Sequence, residues 1–387
     1  MYLDSWVFGK INSHTSSGAE NVQILGHRNE HGHFNCGLLT REALDTYNHT
    51  KRLELLAFLM EKSPFYQKHL ADFFSSFEEP FDLRSALDQW EHIPFTSSIN
   101  LINEGDQMLC VHPGEISRVV TQTTSGTTGP SKRIYFTPED QELTRDYFHY
   151  GMRIMVASGD NVLILLPHKS PGSLGFLLQE ALFRLGANGF FKDSIETDAS
   201  TDTLEVETQN KPMELGGNTD TPNNTIIKLG DIEAIVGPPS LIVGMTKTYP
   251  EIRPHSILMT ADFVSKNDRK VVKETWGSKV FEHYGMTEMG LGCAMSCRDT
   301  EDNPPVGYHV RENDLYIEII DPLSTKILPQ GEWGEIVVTT LTRKGMPFLR
   351  YRTGDTGRFL KGSCTCGSVL KRLDRVQKRA ETKGILE

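Results

Sequence analysis

Short apolar segments alternate with helical stretches in this sequence, and that alternation limits the fold more than any other feature. The patterns Leu174–Leu185 and Ser265–Thr275 have the spacing of helices. Strands that alternate with helices favour a layered α/β fold. The segments that read as short buried strands are Val162–Leu166, Ile232–Val236, Ile257–Thr260, Val280–His283, Leu315–Ile320 and Glu335–Thr340.

The sequence before these strands has a different pattern. Leucine and aromatic residues at near-helical spacing predict a helical region over 40–118, with stops near Pro64 and Pro94. Residues 1–39 lack sustained periodicity and are expected to form an extension over the surface. The range 193–225 is rich in Asp, Glu, Thr and Asn, which predicts a solvated loop or hairpin insertion.

Charge and composition exclude several classes of protein. The 387 residues include 40 Lys and Arg against 51 Asp and Glu, and a net charge of −11 argues against non-specific binding to nucleic acid or an anionic membrane. No apolar run approaches the roughly 20 residues that a membrane-spanning helix needs. The first ten residues lack the pattern of a secretory signal, and six cysteines do not make a disulfide scaffold. We therefore expect a cytoplasmic protein without nucleic-acid or membrane partners.

The sharpest local motif is Thr123–Lys132, T-T-S-G-T-T-G-P-S-K. Glycine lets backbone amides approach a phosphate closely, hydroxyl groups add donors, and the lysine adds a point charge. The spacing is not G-x-x-x-x-G-K-[ST], which excludes the P-loop pattern. From these residues alone, a phosphate-binding loop and an ordinary polar turn remain equally open.

Two later segments carry groups that suit a nucleotide. Phe281–Gly290 reads F-E-H-Y-G-M-T-E-M-G, in which Glu288 beside Thr287 suits Mg²⁺ and a phosphate oxygen. Tyr284 could lie against a planar base. Tyr351–Asp355 reads Y-R-T-G-D and ends in an aspartate that can accept two hydrogen bonds from ribose hydroxyls. Each segment by itself is weak, because a solvated glutamate and a simple aspartate turn are common.

In this order and at these separations, the three segments resemble the AMP-forming acyl-CoA synthetase superfamily of acyl-adenylating enzymes, and its phenylacetate–CoA ligase branch above all. Ser63–Leu70, Ile93–Leu101 and Phe136–Asp140 are also similar to that branch. The resemblance runs over about 40–383. It implies the large N-terminal domain of adenylate-forming enzymes, with layered sheets flanked by helices and a small β-rich subdomain at about 310–370.

The resemblance implies a role for each motif residue in an AMP-binding core over 119–383. The glycine loop would bind the β- and γ-phosphates of ATP, Thr287 would reach the α-phosphate and Glu288 would hold Mg²⁺. Lys132, Thr287 and Glu288 are the predicted catalytic residues. The predicted nucleotide-binding residues are Thr124, Ser125, Gly126, Thr127, Thr128, Gly129, Ala261, Asp262, Phe263, Glu282, His283, Tyr284, Gly285, Met286, Asp355 and Arg379.

The resemblance also implies where the carboxylic acid binds. Leu166–Phe176 and Gly237–Leu241 would line its pocket, and the branch favours an aryl or aryl-acetic acid. The carboxylate would attack the α-phosphorus of ATP and give an acyl-adenylate and pyrophosphate. The predicted pocket residues are His168, Gly172, Gly175, Pro238, Pro239 and Ser240, although a lone histidine is more often structural.

The end of the sequence departs from the family pattern. In the family, the segment that matches Arg379 reads G-R-x-D-D and leads into a mobile C-terminal domain, whereas here it reads K-R-A-E-T and the given sequence stops five residues later, at Glu387. We therefore expect that domain to be absent, and the acyl group to pass to an amine, an alcohol, a thiol or a carrier protein. A CoA ligase completed by another subunit and a nucleotide-binding pseudoenzyme remain alternatives, and a homodimer remains open.

Three cysteines after the second motif predict a metal site. Cys364 and Cys366 flank one threonine before a glycine turn, and Cys297 and His309 could complete a tetrahedral site for structural Zn²⁺. Some phenylacetate–CoA ligase relatives carry zinc at similar places, which the resemblance extends to this chain. A C-x-C pair is weaker than paired C-x-x-C knuckles, so reduced, unligated thiols remain the alternative.

Overall fold

A computed structural model describes residues 4, 6–7, 9–11, 39–77, 82–123, 131–192, 203–208, 223–298 and 307–377. The predicted phosphate-binding residues Thr124–Gly129 and the predicted Arg379 lie outside these ranges. Most of the predicted N-terminal extension and much of the predicted polar insertion also lie outside them.

The N-terminal region consists of one long helix and several short ones, and side chains cap the starts of most of them. The Thr40 hydroxyl accepts a hydrogen bond from the Ala43 amide and begins the first helix, and Ser63 caps the second, which has Pro64 in its first turn. The helix predicted over 65–74 is two helices that meet at Leu70. The α-helices of residues 39–118 are α1 (Arg41–Lys62), α2 (Pro64–His69), α3 (Ala71–Ser75), α4 (Leu83–Asp88) and α5 (Ser98–Glu104).

The rest of the described chain alternates strands and helices. The helices are α6 (Pro138–Met152), α7 (Leu174–Leu185), α8 (Pro239–Thr248) and α9 (Lys266–Trp276). The strands are β1 (Arg118–Thr123), β2 (Ser131–Phe136), β3 (Asn161–Ile164), β4 (Asn188–Phe191), β5 (Thr203–Thr208), β6 (Asn223–Lys228), β7 (Ala234–Gly237), β8 (Ser256–Met259), β9 (Lys279–Tyr284), β10 (Ala294–Met295), β11 (Tyr308–Val310), β12 (Leu315–Ile320), β13 (Gly334–Thr340), β14 (Tyr351–Gly357) and β15 (Arg372–Leu373).

A ten-stranded sheet forms the centre, in the order β15-β11-β10-β9-β8-β7-β3-β4-β5-β6. Its five middle strands, β9 to β4 in that order, are parallel, and β7 and β8 are buried along their whole length. Helix α7 connects β3 to β4, which lies towards one edge of the sheet. Helix α8 connects β7 to β8, which lies towards the other edge. The direction of winding therefore reverses between β3 and β7, and ligands of open α/β sheets bind at the carboxyl ends of strands beside such a point.

A small antiparallel sheet of β12, β13 and β14 carries the Y-R-T-G-D motif and is fixed to the N-terminal helices. The Thr96 hydroxyl donates to the Leu349 carbonyl at 2.7 Å, and Thr96 bridges to Tyr351. The Arg350 guanidinium is fully buried, bonds both carboxylate oxygens of Glu318, and donates to the backbone of the N-terminal region. The motif is thus held on a rigid element.

The α/β fold class predicted from the sequence is confirmed. The strand bounds differ from the predicted ones by one or two residues, and β12 matches its prediction. Within the polar range 193–225, β5 pairs with β6 in antiparallel fashion at the edge of the large sheet. Within the described residues, no helix combines the length and the apolar character needed to cross a membrane.

Candidate active site

The second motif folds as the end of a strand followed by a tight turn. Strand β9 ends at Tyr284, and Thr287–Met289 form one turn of 3₁₀ helix that buries Thr287 and Glu288. Gly285 is required here, because a Cβ at this position would lie 2.5 Å from the Leu291 carbonyl oxygen. Met286 supplies a carbonyl that accepts hydrogen bonds from the amides of the same turn.

Glu288 is the point at which all three motifs meet. Its side chain is 1% exposed and forms an ion pair with Lys132 at the end of the glycine loop. The Tyr351 hydroxyl, from the third motif, donates to Oε1 of Glu288 at 3.0 Å. The Arg343 guanidinium donates to the Glu288 backbone carbonyl at 2.7 Å. A buried carboxylate without partners would be costly, so these contacts explain how the Glu288 side chain can be buried in this position.

The hairpin of β1 and β2 brings the glycine loop to the same place. Gln122 and Lys132 lie directly opposite each other in this hairpin, on either side of the loop. Opposed side chains share one face of a hairpin, and here the Gln122 amide donates to the Thr287 hydroxyl at 2.6 Å. The sequence motifs did not identify Gln122, whose only signal is its position just before the loop.

The side chains of Tyr284 and Asp355 join the second and third motifs. The Tyr284 hydroxyl donates to Oδ2 of Asp355 at 2.9 Å. Burial, and then the charge of Asp355, raise the pKa of Tyr284 well above its usual value. Tyr284 is therefore a neutral donor at physiological pH, and it orients the carboxylate that the sequence predicts as the ribose ligand.

The segment predicted to follow the adenine continues from β8, the neighbour of β9. Ala261 has a φ of +68°, in the left-handed region that costs a non-glycine residue about 1–2 kcal/mol. Backbone of this kind concentrates at ligand sites. The Asp262 carboxylate accepts from the Phe263 amide at 2.7 Å, and all three side chains are exposed at the edge of the site.

Adjacent residues of β9 face opposite sides of the sheet. Glu282 is 1% exposed and accepts from Arg269 at 3.1 Å and from the Tyr308 hydroxyl at 2.5 Å, so its contacts are internal. His283 shares a 2.9 Å hydrogen bond between Nδ1 and the Thr260 hydroxyl. Burial, with a further effect of the Arg311 charge, lowers the pKa of His283 to about 4 and keeps the imidazole neutral.

The residues predicted for the acid pocket mainly shape the strand ends. The His168 ring stacks on Phe191 with centroids 4.2 Å apart, and its Nε2 lies 3.1 Å from the Glu207 carboxylate. A Cβ at Gly175 would lie 2.9 Å from the Leu166 and Pro167 carbonyls, so α7 begins in direct contact with this segment. Gly172 adopts a φ of +72°. Pro238, Pro239 and Ser240 form the start of α8.

A small cavity of about 20 Å³ lies next to those residues, at the carboxyl ends of the central strands. None of the six residues predicted for the pocket lines it. Its lining is largely apolar and comes from α6, α7, the central strands and β10. The lining residues are Tyr147, Phe148, Gly151, Met152, Leu166, Leu174, Leu178, Val236, Leu258, Thr260, His283 and Met295.

The predicted metal ligands come together at the edge of the large sheet. The ligand atoms of Cys297, His309, Cys364 and Cys366 all lie within 4.8 Å of one another. The Cys297 and Cys364 sulfurs are 3.6 Å apart, and the Cys366 sulfur is 3.4 Å from Nε2 of His309. Tetrahedral zinc with its usual bond lengths requires about 3.8 Å between sulfurs and about 3.5 Å between sulfur and nitrogen. The donor set therefore fits zinc.

The sequence profile of the AMP-binding enzyme family matches residues 96–342. The chain belongs to the AMP-binding enzyme family. The predicted superfamily is confirmed, and the matched range contains the glycine loop, the adenine segment and the Tyr284–Glu288 turn. Asp355 lies beyond the matched range.

Two relatives of this AMP-binding family member are phenylacetate-coenzyme A ligases. The enzyme from Pseudomonas putida is 35% identical over 114 residues, which are 29% of this chain and 24% of that enzyme. The enzyme from Thermus thermophilus is 26% identical over 354 residues, which are 89% of this chain and 72% of that enzyme. These matches agree with the predicted likeness to that branch and with the predicted class of AMP-forming ligases.

A solved structure has the same fold. An open conformation of 2-hydroxyisobutyryl-CoA ligase, in complex with 2-HIB-AMP and CoA, aligns with a TM-score of 0.69 and 18% identity. The alignment covers 90% of this chain and 78% of that one. At this level of identity the likeness concerns the fold of the AMP-binding family.

Proposed function

We propose that this protein uses ATP to activate a carboxylic acid, forming an acyl-adenylate and releasing pyrophosphate. The observation that carries the proposal is the convergence on Glu288 of the glycine-loop lysine and the Y-R-T-G-D motif. Family membership and the ligase relatives support it independently.

In the proposed reaction, a carboxylate oxygen of the acid attacks the α-phosphorus and pyrophosphate leaves. Negative charge develops on phosphoryl oxygens, so positioning and fixed positive charge would carry the catalysis. Lys132 would contact the phosphates, the Thr287 hydroxyl would donate to the α-phosphate, and Asp355 would bind the ribose. Mg²⁺, held by Glu288, would neutralise the phosphate charge, as suits a hard cation and an oxygen ligand. The proposed chemistry needs no side-chain nucleophile.

The proposal also specifies the class of acid and the kind of acyl acceptor. An aryl or aryl-acetic acid is favoured because the relatives are phenylacetate-coenzyme A ligases. The acyl group would pass to an amine, an alcohol or a carrier protein. A CoA ligase is the second candidate, because the same relatives are phenylacetate-coenzyme A ligases.

The test is pyrophosphate release over a panel of aryl, aryl-acetic and aliphatic acids, with ATP and Mg²⁺. Acid-dependent release is the expected result, and AMP release that also requires CoA would select the ligase candidate. Binding of ATP without pyrophosphate release for every acid would instead indicate a nucleotide-binding pseudoenzyme.

We also propose that the cluster of Cys297, His309, Cys364 and Cys366 binds a structural Zn²⁺. The ligand atoms lie within 4.8 Å of one another, and their separations suit tetrahedral zinc. The ligands join the segments around β10, β11 and β15. The metal would therefore hold together β10, β11 and β15 at one edge of the large sheet, next to β9, which carries Tyr284.

A further inference from the structure

The motif Phe136–Asp140 has no part in the proposed reaction, yet its aspartate is buried and fully engaged. Asp140 is 3% exposed and caps the start of α6, where its Oδ2 accepts from the Thr137 amide at 3.0 Å. The same carboxylate accepts from the amides of Lys344 at 2.7 Å and Gly345 at 2.9 Å. A Cβ at Gly345 would lie 2.8 Å from Oδ2 and would displace the carboxylate. These charge-assisted hydrogen bonds fix the loop at 344–345 against the start of α6.

Arg343 comes immediately before this loop, and its guanidinium contacts the turn that carries Glu288. One nitrogen donates to the Glu288 carbonyl at 2.7 Å, and another donates to the Tyr135 carbonyl of β2 at 3.3 Å. The guanidinium carbon lies 4.3 Å from the centroid of the Phe136 ring. The motif therefore holds Arg343 in two ways, because Asp140 fixes the next two residues of the backbone and Phe136 supports the guanidinium.

The turn that carries Glu288 takes its outer hydrogen bonds from side chains of other segments. A single turn of 3₁₀ helix leaves its last carbonyls without partners inside the turn. Consecutive carbonyls here accept from buried side chains: Glu288 from Arg343 at 2.7 Å, Met289 from Arg311 at 3.4 Å and Gly290 from Thr144 at 2.8 Å. Of these donors, Arg343 contacts the residue that supplies the predicted metal ligand, so it has the most direct influence on the position of that carboxylate.

Arg343 differs from the neighbouring Arg311 in its charge balance. Arg311 pairs with Asp314 at 2.7 Å, whereas Arg343, at 5% exposure, forms no ion pair among the described residues. Burial lowers the pKa of Arg343 to about 10, so the guanidinium is still charged at neutral pH. A buried charge without a counter-charge reduces stability, and proteins accept such losses mainly at functional sites. This cost points to a role in the site beyond packing.

We propose that Arg343 is a positioning residue for the proposed adenylation, and that it acts by fixing the backbone from which the Glu288 carboxylate projects. The inference rests on the proposed function. Tyr135 lies on β2, the strand that also carries Lys132, and Arg343 binds Tyr135 and Glu288 together. One side chain therefore sets the spacing between the strand of the glycine-loop lysine and the turn of the predicted metal ligand.

The experiment measures Arg343→Lys and Arg343→Met in the wild type and in a Glu288→Gln background. The readouts are kcat for pyrophosphate release at saturating ATP, Mg²⁺ and acid, and the melting temperature. In the wild type we expect kcat to fall about tenfold with lysine, which lacks the planar fork, and about 100-fold with methionine. In Glu288→Gln, each further loss should be less than about threefold, because residues that act as a unit are not additive.

The matched control is Arg269→Lys, another buried arginine, which donates to Glu282 on β9. It should lower the melting temperature and leave kcat unchanged. A lower melting temperature with full kcat in both Arg343 variants would make Arg343 purely structural and overturn the inference. Equal losses of kcat in the two backgrounds would also overturn it, because Arg343 would then act independently of Glu288. If Arg343→Met does not fold, Arg343→Lys decides between these outcomes. Absence of release by the wild type with every acid would instead reject the proposed function, and this role with it.

Discussion

The Tyr351 hydroxyl donates a 3.0 Å hydrogen bond to Oε1 of Glu288, and each side chain is 1% exposed. The Y-R-T-G-D motif thus supplies, besides the predicted ribose ligand, the group that orients the predicted Mg²⁺ carboxylate. Hydrogen bonds to charged groups are worth about 1.5–3 kcal/mol, so the contact is strong enough to fix the carboxylate position.

Tyr351→Phe should therefore weaken use of Mg²⁺. We expect kcat/KM to fall by about 10- to 100-fold, together with a rise in the Mg²⁺ concentration that gives half-maximal rate. Pyrophosphate release measured over a Mg²⁺ series checks this. The control is Tyr135→Phe, which removes a similar tyrosine–carboxylate bond to Asp106 on the surface. An unchanged Mg²⁺ dependence in Tyr351→Phe would contradict the positioning role.

Two buried glutamates of the second motif should respond differently to the same substitution. Glu288→Gln should lower kcat by about 10²–10³-fold, because it removes the predicted metal ligand and the partner of Lys132. Glu282→Gln removes the negative charge that pairs with the buried Arg269 guanidinium and should destabilise the fold by about 3–5 kcal/mol. Thermal unfolding and steady-state rates distinguish the two. Full activity in Glu288→Gln would refute the proposed metal and nucleotide site.

His283 should make stability depend on pH in the acidic range. Its folded-state pKa of about 4 is below the usual value of 6.5, so the unfolded state binds its proton first as the pH falls. This contribution is complete above about pH 6.5 and is lost progressively down to about pH 4, to a total of about 3 kcal/mol. Urea unfolding of the wild type and of His283→Gln over this range tests it. Parallel stability profiles would show that the pKa of His283 is the same in the native and unfolded states.

The cysteine cluster should contain zinc in the purified protein. We expect about one equivalent by elemental analysis, and a lower zinc content and melting temperature in Cys366→Ser. Cys110→Ser is the matched control, because Cys110 is buried away from the cluster. Less than about a tenth of an equivalent in the wild type would reject the zinc proposal.

The motifs predicted the site to the extent that its residues are neighbours in sequence. Glu288, Tyr284 and Asp355 stand out because hydroxyl, carboxylate and glycine residues occur together at turns. Gln122 gave no such signal, because its importance comes from a contact with Thr287, which is distant along the chain.

The alternation of side chains along β9 explains why Glu282 and His283 have different surroundings, although the sequence placed both in the nucleotide site. The likeness to the family included all of 282–286 in the nucleotide site. However, consecutive residues of a strand point to opposite faces, so Glu282 faces Arg269 and Tyr308 whereas His283 faces the cavity. The prediction of nucleotide contact for Glu282 has no support in its side-chain contacts.

The attachment of the small sheet to the N-terminal helices has a consequence for folding. The Thr96 hydroxyl and the Leu349 carbonyl that it contacts are separated by 253 positions, and Tyr351 lies two residues after Leu349. Contacts of this range form slowly, because a long loop must close before they contribute. During synthesis, Glu288 is made more than sixty residues before Tyr351. The nascent chain therefore cannot complete the environment of the Glu288 carboxylate until Tyr351 has been made, so nucleotide binding should follow the synthesis of the small sheet.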